Sequence, residues 1–203
     1  MLNDAVSIEG MEVRRTKYSW EGFRAFPALV DLGTHKLRAW ARTREKEVPA
    51  GLFRVYFDIE ASRPLSSECL RSWQHFANSE PRLCELAVAA AFAHYQHITP
   101  WLDQWVEPEN RDEIAPRCND VLIFSRLIAF ECLHIHPADD LGADLGLQFT
   151  CSWDEEHGLG VRIRGDRVVS VSDAIHAFER WDWVRQSIET LGDGLSKGPR
   201  TKD

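Results

Sequence analysis

The sequence predicts an α+β fold: a mainly antiparallel sheet of N-terminal strands and a C-terminal meander, packed with a helical middle and a C-terminal helix. Three observations predict it. Leu145, Leu147, Phe149, Cys151 and Trp153 occupy every second position, the period of a strand with one buried face. Leu83, Leu86, Ala87, Ala90, Ala91, Tyr95 and Ile98 recur at helical spacing, so one stripe of a helix faces a core. Phe53, Val55, Phe57 and Ile59 alternate with Arg54, Tyr56 and Asp58, which marks a further half-buried strand. A chain of 203 residues suffices for one such core, so residues 1–191 read as a single domain and 192–203 as a polar tail.

Taken in order, residues 1–10 carry little pattern and read as a lead-in. Candidate strands cover 13–18, 28–32, 36–43 and 52–60, with turns at Gly33-Thr34 and Pro49-Ala50-Gly51. Arg38, Arg42 and Arg44 around Trp40 would give the third strand a basic, aromatic face. Beyond Pro64 the period lengthens. Ser66 is placed to cap a helix running to about residue 78, with Leu70 and Trp73 inward. Ser79 is placed to cap a second helix to about residue 97, with Pro81 in its first turn, where a missing donor costs little. Pro100 should kink or end it, and Trp101, Leu102, Trp105 and Val106 suggest a further amphipathic turn.

Residues 107–118 read as an acidic surface excursion, followed by a short helix over 120–126. A strand over 127–136 would place Ile128, Phe130, Cys132, His134 and His136 on one face and Glu131, Leu133 and Ile135 on the other. After a loop over 137–144 comes the meander. Its first hairpin has the tip Asp154-Glu155-Glu156-His157-Gly158, where Asp154 would bond local amides and Gly158 take a positive φ. A turn at Gly165-Asp166 leads to Val168, Val169 and Val171. Ser172 or Asp173 would cap a last helix through Ile175, Phe178, Trp181, Trp183 or Val184, and Ile188.

Charge narrows the function classes. With 24 basic and 32 acidic residues the net charge is −8, which argues against a general nucleic-acid binder because phosphate binding needs a basic face. The acids cluster: residues 127–161 hold Glu131, Asp139, Asp140, Asp144, Asp154, Glu155 and Glu156 and no Lys or Arg. Five widely spaced cysteines without a C-x-x-C pair suit reduced, buried thiols of a cytoplasmic protein. No basic leader and no long apolar run points to a membrane. Trp40, Trp73 and Trp153 fit core positions, whereas Trp101, Trp105, Trp181 and Trp183 look partly exposed and suited to a protein interface.

Catalytic signatures are absent: no P-loop, G-x-S-x-G or dinucleotide fingerprint occurs, and no cysteine sits in an activating local motif. His134-x-His136 puts two imidazoles on one face of a strand, and His157 from the hairpin tip could complete a metal site. That trio supports an alternative reading as a metal-dependent enzyme or metal-binding regulator. His94 and His97 lack the Glu of H-E-x-x-H and read as surface histidines. The first reading assigns no catalytic residue, metal or cofactor. It assigns partner binding to Glu107, Glu109, Asp112 and Glu113 of the excursion, Asp139, Asp140 and Asp144 of the loop, and Glu155 and Glu156 of the tip.

The string from Phe149 to Val161, and within it Trp153-Asp154-Glu155-Glu156-His157-Gly158-Leu159-Gly160-Val161, resembles the W-D-x-E-H-G-x-G-V signature of a bacterial domain family of unknown function. The resemblance spans about residues 28–172 and implies N-terminal strands, a helical middle and a C-terminal meander carrying the signature. Residues 100–116 are more elaborate than the motif requires. In context such domains are similar to small acidic cytosolic immunity proteins of polymorphic toxin systems. The resemblance therefore implies a non-catalytic protein, a monomer or weak homodimer, that neutralises a cognate toxin through its acidic surface. A scaffold that self-associates through exposed tryptophans is a third reading.

Overall fold

The computed structural model describes residues 5–44, 48–140 and 142–179. Within them, eight strands form one sheet whose spatial order is the order of the chain: β1 (Ala5–Ile8), β2 (Met11–Arg15), β3 (Trp20–Arg24), β4 (Phe53–Phe57), β5 (Ile128–Asp139), β6 (Gly142–Cys151), β7 (Asp154–Arg164) and β8 (Arg167–Ser172). Every neighbouring pair is antiparallel except β4 and β5. A parallel pair needs a crossover, and the helical middle supplies it. The predicted α+β fold and its C-terminal meander are thus present.

The two helices expected over residues 66–97 are one, α2 (Ser67–Leu102). Ser66 caps it as expected, its hydroxyl accepting from the Cys69 amide at 3.2 Å. Pro81 and Pro100 both lie inside it. Each proline costs about 3 kcal/mol in a helix interior, yet the apolar stripe of Cys69, Trp73, Phe76, Leu83, Cys84, Ala87, Ala91 and Tyr95 stays in phase through the first of them. Burial of that stripe against the sheet outweighs the lost donors, so Ser79 is an interior residue. Its neighbour Glu80 is 9 % exposed and pairs with Arg24 of β3 at 2.9 Å.

Two expected strands are absent. Residues 28–32 form turns, with the Leu29 and Val30 amides both bonded to the Phe26 carbonyl. Residues 36–43 lie in a helix, α1 (His35–Arg44), because Thr34 caps it through the Leu37 amide at 3.2 Å and Leu37 and Ala41, four apart, pack on Ala129. Arg38 and Arg42, four apart, fit one face of a helix as well as one face of a strand. The lead-in, by contrast, contains strand β1. Glu9 and Gly10, with φ of 48° and 82°, make the tight hairpin turn to β2, and a turn of this type needs positive φ at both central residues.

Later expectations fare better. Asp120 caps the short helix α4 (Val121–Phe124), preceded by a four-residue helix, α3 (Arg111–Ile114). The last helix is described only as α5 (Ile175–Phe178); its N-cap is Ala174, so neither Ser172 nor Asp173 caps it with a side chain. Trp181, Trp183, Val184 and Ile188, with the tail over 192–203, lie outside the described residues.

The sheet has two covered faces. Phe130, Leu133, Ile135, Leu145, Leu147, Phe149, Val161 and Ile163 join Trp73, Phe76 and Leu83 of α2 in one apolar core. On the other face α1 covers Ala129, and α5 covers Gly146 and Gly160. The approach there is close: a Cβ on Gly146 would lie 1.8 Å from the Ala177 carbonyl oxygen.

Candidate functional site

A bulge in β5 brings the chemistry together. Phe130 pairs with Phe149 but Cys132 pairs with Gln148, so Glu131 is an extra residue and the strand's alternation changes phase there. Ile128 and Phe130 therefore share the α2 face with Leu133 and Ile135, while Glu131, Cys132, His134 and His136 point to the other side. This corrects the single alternation expected over 127–136. Opposite them on β6, Asp144, Gln148 and Thr150 occupy positions that read as water-facing by alternation. All but Gln148 are at most 4 % exposed.

These polar groups satisfy one another. His134 Nδ1 lies 3.1 Å from Asp58 Oδ2, and its Nε2 lies 3.4 Å from Cys132 Sγ and 3.3 Å from Gln148 Oε1. With Nδ1 turned to the Asp58 carboxylate, Nε2 is the ring atom that faces the thiol. The imidazole is held between Tyr56, stacked at 5.0 Å, and Phe178 at 5.6 Å. Gln148 donates to Glu131 at 2.6 Å, and the Thr150 hydroxyl donates to the other Glu131 oxygen. His136 Nε2 donates to the Ala177 carbonyl at 2.8 Å and lies 3.3 Å from Asp58.

Beside them Asp144 receives two bonds from Arg162, at 2.5 and 2.9 Å, in a pair sealed from solvent, and Arg162 also donates to the carbonyls of Ala177 and Glu179. Burial pushes the His136 pKa down to about 4 even though the Asp58 carboxylate opposes the shift. Burial pushes the Asp58 carboxyl up, but its interactions with His134, His136 and Arg162 outweigh this and leave it below the usual range.

The expected metal trio does not assemble. His134 and His136 share Asp58, whereas His157 is exposed and bonded at 2.9 Å to Asp154. Among the described residues no group of three or more His, Cys, Asp or Glu side chains is arranged to hold a metal ion. The segment read as a hairpin tip is instead the start of β7, and the turn is Ser152-Trp153. Residues 155–158 bulge opposite Thr150, with Asp154 accepting from the His157 amide at 3.0 Å and Gly158 at φ 67°. Other positions of that string pack against neighbouring elements. The Trp153 ring lies 4.7 Å from that of Tyr95, and a Cβ on Gly160 would lie 2.7 Å from the Asp173 carbonyl oxygen.

The nine acids divide. Asp139 and Asp140 are exposed at one end of the β5–β6 hairpin, Asp139 paired with Arg164. Asp144, expected on an open loop, is buried against Arg162 and removed from any contact surface. The other end of the hairpin lies roughly 35 Å away at about 3.3 Å per residue, and there Asp112, Glu113 and Glu155 line a cleft of about 740 Å³ between α1 and α3–α4. Its apolar walls are Leu37, Trp40, Ile114, Pro116, Ile123 and Leu127, and Lys36 and Arg126 also reach it. Glu107, Glu109 and Glu156 are exposed outside its lining. Trp101 and Trp105 are 63 % and 81 % exposed at the end of α2 and just beyond it, as their spacing suggested.

Sequence reasoning missed Asp58, Glu131, Gln148, Thr150 and Arg162 as site residues. The available signal was the placement of Asp58 opposite Val55 and Phe57, together with the two glycines, Gly146 and Gly160, that let a backbone approach the polar side of the meander.

Fold and sites together define a single-sheet α+β domain with one apolar face, one buried polar face and a cleft lined by apolar and charged side chains. Residues 31–178 match the model of the family described as Domain of unknown function (DUF6985), and the chain belongs to that family. The match ends at the last residue of α5. No curated protein and no solved structure matches the chain. Among the described residues no helix is long and apolar enough to cross a membrane.

Proposed function

We propose that the protein is a non-catalytic binding module of the immunity type, which neutralises a cognate bacterial toxin by docking it at the cleft between α1 and α3–α4. The observation that carries this reading is the lining of that cleft: an apolar wall including Trp40, with Asp112, Glu113 and Glu155 on its rim. Apolar area at the centre and charge at the rim is how protein interfaces divide affinity from steering. The acids favour a basic partner surface. The Asp139 and Asp140 end lies too far along the strands to share a compact footprint.

The test is capture of partners from the native lysate by the tagged full chain, beside a variant carrying Asp112→Lys, Glu113→Lys and Glu155→Lys. One stoichiometric partner with a toxin domain, lost in the triple variant and associating more slowly as salt rises, is the expected result. A partner that binds both chains alike would remove the cleft from the mechanism.

A further inference from the structure

We propose that Cys132 is a reactive thiol, activated by His134 with Asp58 as the positioning residue, and that its reagent is hydrogen peroxide. The geometry is that of a nucleophile, a base and an orienting carboxylate in line: Sγ to Nε2 at 3.4 Å, and Nδ1 to Asp58 Oδ2 at 3.1 Å. The ring cannot turn away, because Tyr56 stacks on one side and Phe178 packs on another. Gln148, itself held by Glu131, places its carbonyl oxygen 3.5 Å from Sγ. The site is independent of the cleft.

The surroundings choose the reagent. Cys132 is fully buried and His134 is 6 % exposed, so no extended substrate reaches the sulfur while α5 is in place. The reagent proposed is therefore one little larger than water. Among the described residues the cover is thin: Phe178 is 43 % exposed on a one-turn helix, and the Asp58 side chain is 25 % exposed at the edge of the network.

The step balances. The thiol proton passes to His134 Nε2, Sγ attacks one peroxide oxygen, an S–O bond forms and the O–O bond breaks. The departing hydroxide takes the proton from Nε2 and leaves as water, while the attacked oxygen keeps its hydrogen. Cys132 becomes a sulfenic acid, oxidised by two electrons as the peroxide is reduced.

The other cysteines are internal controls. Burial pushes the Cys69 thiol up to about 11 and the Cys84 thiol up to about 12, and raises those of Cys118 and Cys151. None of these four has a histidine as a hydrogen-bond partner among the described residues.

The experiment treats the full chain with hydrogen peroxide in the presence of dimedone, which traps sulfenic acids, and follows all five cysteines by peptide mass spectrometry. Cys132 should be trapped at least about tenfold faster than any other, and His134→Ala should slow it by about 100-fold, the lower end of general acid–base contributions. Added imidazole should restore part of the His134→Ala rate, which a merely structural histidine would not allow. Asp58→Asn should slow trapping less, and Phe178→Ala should speed it. Trapping of Cys132 no faster than that of Cys69 or Cys84 overturns the proposal, as does an unchanged rate in a folded His134→Ala protein. If circular dichroism shows that His134→Ala does not fold, the comparison among the five wild-type cysteines and the Asp58→Asn rate decide instead.

Discussion

The face of the sheet under α2 and the face under α5 are made by the same strands, and both exclude water by different physics. Under α2, Phe130, Leu133, Leu145, Leu147, Phe149 and Val161 bury carbon against carbon, an attraction that is nondirectional and tolerates small shifts. On the face toward α1 and α5, Glu131, His134, His136, Asp144, Thr150 and Arg162 are equally enclosed, and each depends on a partner at hydrogen-bond distance. Buried polar groups are expensive when unpaired and contribute modestly when paired. The second face therefore specifies where α5 sits more than it stabilises the sheet.

Trp73→Ala should cause the largest loss, about 3–5 kcal/mol, because it opens a cavity in the apolar core; chemical denaturation measures it. Asp144→Ala should cost a similar amount for the opposite reason, leaving the enclosed Arg162 charge without its carboxylate, about 3–5 kcal/mol. The comparison sharpens in the double variant: Asp144→Leu with Arg162→Met should recover most of that loss, since an apolar pair needs no partner. If it does not, the polar face stabilises the fold in its own right.

Acid should distinguish the faces next. The folded-state pKa of His136 is lowered to about 4, whereas an unfolded histidine titrates near 6.5. Between those values only the unfolded chain takes up the proton, so stability falls as pH drops from about 6.5 towards 4, by about 3 kcal/mol in all. Removing the imidazole with His136→Gln should flatten that window in denaturation curves recorded across pH. A curve unchanged by the substitution would assign the acid sensitivity elsewhere.

Gly146→Ala should cost about 1–3 kcal/mol by overpacking, and its Cβ would displace α5 without touching the α2 face. Faster hydrogen exchange at Ala177 and Phe178, with protection of β5 and β6 retained, is the expected signature. The smallest effect belongs to the cleft rim. Asp112→Lys and Glu113→Lys should each change stability by no more than about 0.5 kcal/mol, as exposed sites do, while slowing association with a basic partner.

The apolar face was legible because alternation at 145–153 and the helical stripe at 83–98 each report one buried side. The polar face was not. A strand that buries Asp144 and Thr150 has the same pattern as one that shows them to water. Alternation alone also hid the bulge at Glu131, since one extra residue leaves no mark in composition. Of the cleft, the acids at 112, 113 and 155 were visible but their neighbours were not, because Leu37 and Trp40 belong to a segment read as a strand.

By itself the sequence determined the fold class, the Ser66 cap, the positive φ of Gly158, the turn at Gly165 and the run of the meander, all of which follow from local spacing and backbone preference. Only the tertiary structure decided that Pro81 stays within one helix, that Asp144 is buried while Asp139 is exposed, and that Asp58, Cys132 and His134 meet. Those outcomes depend on which surface lies opposite, and a residue's own neighbours in the chain carry no record of it.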